Sequence, residues 1–121
     1  MNLNFTGVSS GFDVIPKGKY FARIVKAKEN MNKAGDAAVL SLQWEIQDEG
    51  EYNKRKVFDT LSTKPQALFK LKGLLDTLGW NAAGDIEIVV DDLLGQECYL
   101  DILIDNYQGT DNNKVNKYSK S

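Results

Sequence analysis

The sequence lacks several residues on which common protein functions depend. It contains no histidine, which removes the commonest metal ligand and the commonest general base of enzymes. Cys98 is the only cysteine, so no disulfide forms within the chain, and we expect a reducing compartment such as the cytoplasm. No apolar run approaches the roughly 20 residues of a membrane-spanning helix, and the N-terminal sequence lacks the pattern of a secretory signal, so we expect no membrane partner.

Composition predicts a single globular domain whose positive charge is unevenly distributed. The 121 residues are 42% hydrophobic and 26% charged, which suits a chain that buries a core. The net charge is -2, yet residues 1–72 contain 12 Lys and Arg against 8 Asp and Glu, whereas residues 73–121 contain 3 against 9. A local positive field is compatible with this split, although chance asymmetry explains it about equally well.

Alternating hydrophobicity predicts three strands in the first half of the chain. Residues 1–18 look irregular and end in a turn. KYFARIVKAKEN then alternates with apolar residues on both sides, AVLSLQWEI shows the clearest period of two, and RKVFDTLS follows a turn at Gly50. Trp44 lies on the wholly apolar side of the second strand and is predicted to be a core residue.

The hydrophobic period changes after the third strand and predicts one helix. Four leucines recur at helical spacing, namely Leu68, Leu71, Leu75 and Leu78. Ser62 or Thr63 is expected to cap this helix, and Gly79 to end it. ECYLDILID predicts a fourth strand and KVNKYSKS a short, frayed fifth. This order is that of the OB-fold, a partly open five-stranded barrel, although other small α+β folds share it.

Several stretches together resemble a family of bacteriophage proteins long filed as a domain of unknown function. They are PKGKYFARIVKAK, LSLQWEIQDEGEYNKRKVFDTL, LFKLKGLLDTLG and DLLGQECYLDI, and the similarity extends from about Gly18 to Tyr118. Members of the family resemble phage single-stranded-DNA-binding proteins. The resemblance implies a mainly β chain forming one OB-like domain over residues 1–121, with one helix between the third and fourth strands. Phage proteins of this kind often end in an acidic tail, and NKYSKS departs from that pattern.

Single-strand binding needs cations that follow the phosphates and flat rings on which bases stack. In OB-folds the ligand lies across strands two and three, between the loops that join strands one to two and four to five. Basic and aromatic residues fall in these segments, most densely in EYNKRKVF, and we predict that they converge on one face. The predicted nucleic-acid-binding residues are Arg23, Lys26, Lys28, Lys33, Tyr52, Lys54, Arg55, Lys56, Phe58, Tyr107, Lys114 and Lys117.

Each of these residues also has a purely structural interpretation. The run Lys54, Arg55 and Lys56 is also typical of a solvated turn whose like charges keep a hairpin edge soluble. Phe58 points outward if Val57 is buried, and is a core residue if the opposite side of the strand is buried. The residues alone do not choose between these alternatives.

The resemblance implies a function without catalysis. No phosphate-binding loop, zinc spacing or catalytic triad is present, paired acids such as Asp91 and Asp92 are typical of solvated surface, and no cofactor is expected. We expect a sequence-tolerant protein that protects transient single-stranded DNA during phage replication or recombination in the host cytoplasm. Its partners would include phage or host replication and recombination proteins, and exposed strand edges are compatible with a homo-oligomer. A protein-binding module of a phage replication complex and a small virion structural component are the rival interpretations.

Overall fold

The computed structural model describes residues 14–80, 84 and 87–121 and contains five strands and one helix. Two single turns of 3-10 helix, Pro65–Ala67 and Val90–Leu93, flank the helix along the chain. The elements are β1 (Gly18–Met31), β2 (Ala38–Ile46), β3 (Lys56–Ser62), α1 (Leu68–Thr77), β4 (Glu97–Tyr107) and β5 (Thr110–Ser119). Within these residues no helix is long and apolar enough to cross a membrane.

All five strands belong to one antiparallel sheet with the order β3-β2-β1-β4-β5. The predicted mainly β class and the single helix between the third and fourth strands are confirmed. Strands β3 and β5 form the two edges, and no backbone ladder joins them in the described part of the chain. The sheet is therefore open. The prediction of a short, frayed fifth strand was wrong, because β5 has 10 residues and pairs with β4 over nearly its whole length.

One side of the sheet packs with α1 around a continuous hydrophobic core. The alternation of β2 and β3 places every second side chain there, including Trp44, which is fully buried as predicted. Cys98 is also buried, and burial raises the pKa of its thiol to about 12, so it stays protonated and behaves as a small apolar residue. The core comprises Ile15, Ala22, Ile24, Leu40, Leu42, Trp44, Ile46, Val57, Leu61, Leu71, Leu74, Leu75, Leu93, Cys98, Leu100, Ile102 and Val115.

A β-bulge at Val25 changes which residues of β1 face the core. Before the bulge Ile24 pairs with Trp44 on the core side, and after it Ala27 pairs with Leu42 on that same side. The extra residue shifts the alternation by one position, as a bulge does. Odd-numbered residues before Val25 and even-numbered residues after it therefore share the opposite side of the sheet.

The start of the helix differs from the prediction, whereas its end at Gly79 agrees with it. No side chain caps its N-terminus, because the helix begins at Leu68 and Ala67 occupies the cap position. The Thr63 hydroxyl donates instead to the Ala38 carbonyl oxygen at 2.8 Å, and the Ser62 hydroxyl accepts from the Lys64 amide at 3.1 Å. At the C-terminus Gly79 adopts φ +81°, and the Trp80 amide donates to the Leu75 carbonyl oxygen at 2.9 Å. This is a Schellman motif, which needs the left-handed conformation that glycine adopts without strain.

The predicted leucine stripe is only partly correct. Leu71 and Leu75 are buried as expected, but Leu74 joins them, whereas Leu68 is exposed. The first helical turn therefore lies partly off the core.

A buried carboxylate connects four elements of the fold. Asp59 on β3 is 4% exposed and accepts hydrogen bonds from the Trp44 indole nitrogen at 3.2 Å, from the Lys70 amine at 3.1 Å and from the Tyr118 hydroxyl. These donors lie on β2, α1 and β5. Burial, and then the charge of Asp59, raises the pKa of Tyr118 well above its usual value, so the phenol remains a donor. The two edge strands are thus joined by side chains.

We expect Tyr118→Phe to lower the free energy of unfolding by about 1.5–3 kcal/mol, because it removes a donor from a buried charge. Urea unfolding followed by tryptophan fluorescence measures the change. Tyr20→Phe is the control, since the Tyr20 hydroxyl donates to the Pro16 carbonyl oxygen at an exposed position, and it should cost under about 0.5 kcal/mol. Equal stability of the two variants would contradict the structural role of Asp59.

Candidate nucleic-acid interface

The side of the sheet opposite the core presents rows of side chains that run across the strands. We call it the outer face. Directly paired residues of antiparallel strands project to the same side, so the pairing register defines the rows. Between β1 and β3 the rows are Lys28–Ser41–Thr60, Lys26–Gln43–Phe58 and Arg23–Glu45–Lys56, and Glu97 on β4 extends the last one. Further rows on β1, β4 and β5 are Phe21–Tyr99–Ser119 and Lys19–Asp101–Lys117.

Cations outnumber anions on the outer face although the whole chain is acidic. The cations placed there by the register are Lys19, Arg23, Lys26, Lys28, Lys56, Lys114 and Lys117. The anions are Glu45, Glu97, Asp101 and Asp105. The positive excess predicted for the first part of the chain therefore has a defined location, which favours contact with a polyanion.

Phe58 projects from the edge strand β3 into solvent on the outer face. It is 67% exposed, because Val57 and Leu61 take the core positions of the same strand. Of the two alternatives that the sequence left open for Phe58, the outward one is confirmed. A single exposed ring is ordinary on a protein surface. The position of Phe58 in one row with Lys26 is what makes the ring relevant to a ligand.

Lys26 and Lys28 supply unneutralised charge beside this ring. Both lie within β1, which continues to Met31, and not in the loop where they were expected. Both are exposed, and neither forms an ion pair with any residue that the structure describes. Their amines are therefore open to phosphate groups.

The positive charges of the row Arg23–Glu45–Lys56 are neutralised by carboxylates of the protein. The Arg23 guanidinium binds Glu97 at 3.1 Å, and the Lys56 amine binds Glu45 at 2.8 Å. The hydrogen bond from Lys56, followed by one from Gln47, lowers the pKa of Glu45 below its usual value. Both carboxylates occupy positions where phosphate oxygens would otherwise meet Arg23 and Lys56.

A second aromatic cluster lies on the outer face between β1 and β4. The rings of Phe21 and Tyr99 are tilted by 57° with centroids 5.2 Å apart, and the Lys19 amine lies 5.0 Å from the Tyr99 centroid. The sequence prediction included neither Tyr99 nor Lys19. The alternation of Tyr99 with buried Cys98 and Leu100 is the signal that places its ring on this side.

The predicted residues of two loops lie at opposite ends of the sheet. Lys33 lies in the β1–β2 loop, whereas Lys54 and Arg55 lie in the β2–β3 turn, so the nine residues of β2 separate them by roughly 26 Å. Tyr52 packs against the hydrophobic core and edge-on against Tyr20, with centroids 6.2 Å apart. These residues do not meet at one point.

The predicted residues of the last strands lie on the far edge of the outer face. Lys117 pairs with Asp101, and Lys114 pairs with Leu103. The side chain of Tyr107 lies outside the described part of the structure. The expected convergence of three segments is therefore only partial. The predicted residues that the structure does bring together are Arg23, Lys26, Lys28, Lys56 and Phe58.

A cavity of about 670 Å³ lies elsewhere, beside α1. Apolar side chains such as Leu68, Phe69 and Leu75 line it, and its charged residues, including Glu29 and Lys72, have mixed sign. Among the described residues, no three Asp, Glu or Cys side chains group closely enough to hold a metal ion. The charged and aromatic residues that favour a nucleic-acid ligand therefore lie on an open surface and not in this cavity.

Comparison with known proteins gives a family but no activity. No curated protein matches the chain. One family, described as "Protein of unknown function (DUF669)", matches residues 2–121, which is nearly the whole sequence. The chain therefore belongs to the DUF669 family.

Proposed function

We propose that this protein binds single-stranded DNA on the outer face without sequence preference. The observation that carries the proposal is the exposed ring of Phe58 on the same face as Lys26 and Lys28, which form no ion pair with any described residue. Single-strand binding needs this combination, because bases stack on rings while amines follow the phosphates. Stacking is available to every base, so no readout of base edges is required.

The arrangement of the strands supports an OB-like fold for this function. The edge strands β3 and β5 meet through the hydrogen bond between Asp59 and Tyr118, which is compatible with a partly open barrel. In an OB-fold the ligand lies across the second and third strands, where Phe58 and Gln43 form a row.

The resemblance to phage single-stranded-DNA-binding proteins suggests when the protein acts. It would cover single strands exposed during replication or recombination and release them to a polymerase, helicase or recombinase. An acidic partner protein docking on the same cations is the rival explanation, and DNA titration separates the two.

We expect fluorescence titration with oligo-dT to saturate at about 4–16 nucleotides per protomer. If about three or four phosphates are neutralised, raising the salt from about 50 mM to about 200 mM should weaken binding about 20- to 50-fold, because counterions are released on binding. Absence of binding at the lower salt would contradict the proposal and favour the acidic protein partner. Tighter binding of oligo-rU than of oligo-dT would contradict the assignment to DNA.

Replacing the exposed ring should weaken binding without unfolding the protein. We expect Phe58→Ala to reduce affinity for oligo-dT about 5- to 150-fold, which corresponds to the loss of about 1–3 kcal/mol of stacking. Its stability should change by less than about 0.5 kcal/mol, since the ring is outside the core. Phe69→Ala is the matched control, because Phe69 is 76% exposed on α1, away from the outer face, and it should bind as the wild type does. A Phe58→Ala variant with wild-type affinity argues against this site.

Freeing Arg23 from its carboxylate partner should strengthen binding. We expect Glu97→Gln to raise the affinity severalfold and to steepen the dependence of log K on log salt by about 0.7, the value of one added phosphate contact. Asp76→Asn is the control: it removes the same charge from an ion pair on α1, where Asp76 binds Lys72 at 2.8 Å, and it should leave the slope unchanged. If both variants raise affinity equally, only net charge matters and Arg23 does not contact the strand.

A further inference from the structure

The cluster of Lys19, Phe21 and Tyr99 has no role in the proposed function as stated above. We propose that it is a second base-stacking site, so that a DNA strand crosses the outer face diagonally from Phe58 on β3 to Tyr99 on β4. This inference rests on the proposed function and adds the path of the ligand to it.

The register places the two aromatic sites on one side of the sheet and at opposite corners. From β3 to β4 there are three strand spacings, which amount to about 14 Å. Along β1 the row of Phe58 contains Lys26 and the row of Tyr99 contains Phe21, and these rows are two steps apart, or about 13 Å. The diagonal between the sites is therefore about 20 Å, which is compatible with a ligand of several nucleotides.

Arg23 lies between the two sites. Its row is the one between those of Lys26 and Phe21, on the central strand of the sheet. A strand that stacks a base at each end of the diagonal passes its phosphates over this guanidinium. The diagonal path therefore explains why a central arginine is flanked by two aromatic sites.

Lys19 fits the second site as a movable cation. Its amine lies over the Tyr99 ring at a distance typical of a cation–π contact; Lys19 is exposed and Tyr99 is half-buried. A lysine side chain is long and flexible, so a base that stacks on Tyr99 displaces the amine toward the adjacent phosphate. Phe21 supports the ring from the neighbouring strand.

A purely structural role for the cluster makes a different prediction. Aromatic pairs across antiparallel strands stabilise a sheet by about 0.2–1 kcal/mol, and that contribution is independent of DNA. The ring of Tyr99 must therefore be tested by a change that keeps apolar packing against Phe21 but removes the flat surface. Tyr99→Leu does this, and Tyr99→Phe restores the ring without the hydroxyl.

The test measures the affinity of the full chain for a 12-nucleotide oligo-dT at low salt. We expect Tyr99→Leu to weaken binding about 5- to 150-fold, as for the loss of one stacked base, and Tyr99→Phe to bind as the wild type does. Thermal unfolding of both variants checks the fold. The double variant Phe58→Ala with Tyr99→Leu should lose affinity by the product of the two single factors, because the sites are far apart.

Photo-crosslinking gives an independent measurement of the path in the wild-type protein. We use six-nucleotide oligo-dT with one 5-iodouracil at either the 5′ or the 3′ end, because its ends lie about 17 Å or more apart at about 3.4 Å or more per nucleotide. Mass spectrometry locates the crosslinked peptide. We expect one end to react in the β3 peptide with Phe58 and the other in the β4 peptide with Tyr99.

The outcomes separate this inference from the proposed function. If oligo-dT binds, and binding depends on Phe58 but not on Tyr99, the diagonal path is wrong and single-strand binding stands. Crosslinks from both ends in β3 alone also overturn the path. If the wild-type protein does not bind oligo-dT, the proposed function fails and this inference fails with it.

Discussion

One additional residue in β1 determines the character of the outer face. Without the bulge at Val25, Arg23 would project to one side of the sheet and Lys26 and Lys28 to the other, because side chains alternate strictly along a strand. Lys26 would then lie opposite Leu42 on the core side, where an unpaired ammonium group is very costly. The bulge keeps Ala22, Ile24 and Ala27 on the core side of one long strand and gathers its cations on the outer face.

One charged side chain is tolerated inside the protein because hydrogen bonds satisfy it. Asp59 is buried, but three donors satisfy it, and those donors come from β2, α1 and β5. The carboxylate joins the edge strands by side chains where no backbone ladder does. The hydrogen bonds to Asp59 thereby connect the core side of the sheet from within.

The sequence predicts the fold better than it predicts the site. Alternation in AVLSLQWEI and RKVFDTLS is regular, and it locates β2, β3 and the burial of Trp44 correctly. In β1 the alternation of apolar and polar residues is ambiguous, because the bulge shifts it by one position and no residue type in the sequence indicates a bulge there. The predicted convergence of loops failed for Lys33 and Arg55 because position along a hairpin decides which end of the sheet a residue reaches. Tyr99 was missed because it becomes a partner of Phe21 only through the β1–β4 register.

The ion pairs of the outer face bear on how tightly it would hold a polyanion. Arg23 is the cation nearest the centre of the proposed path, and Lys56 lies in the same row on β3. Both are already bound to carboxylates of neighbouring strands. A phosphate must replace Glu97 or Glu45, so the net gain from each contact is smaller than at the open amines of Lys26 and Lys28. Under the proposed function, affinity would then come mainly from stacking and from Lys26 and Lys28. A protein that covers single strands only transiently needs such moderate binding, because the strand must be released to the next enzyme.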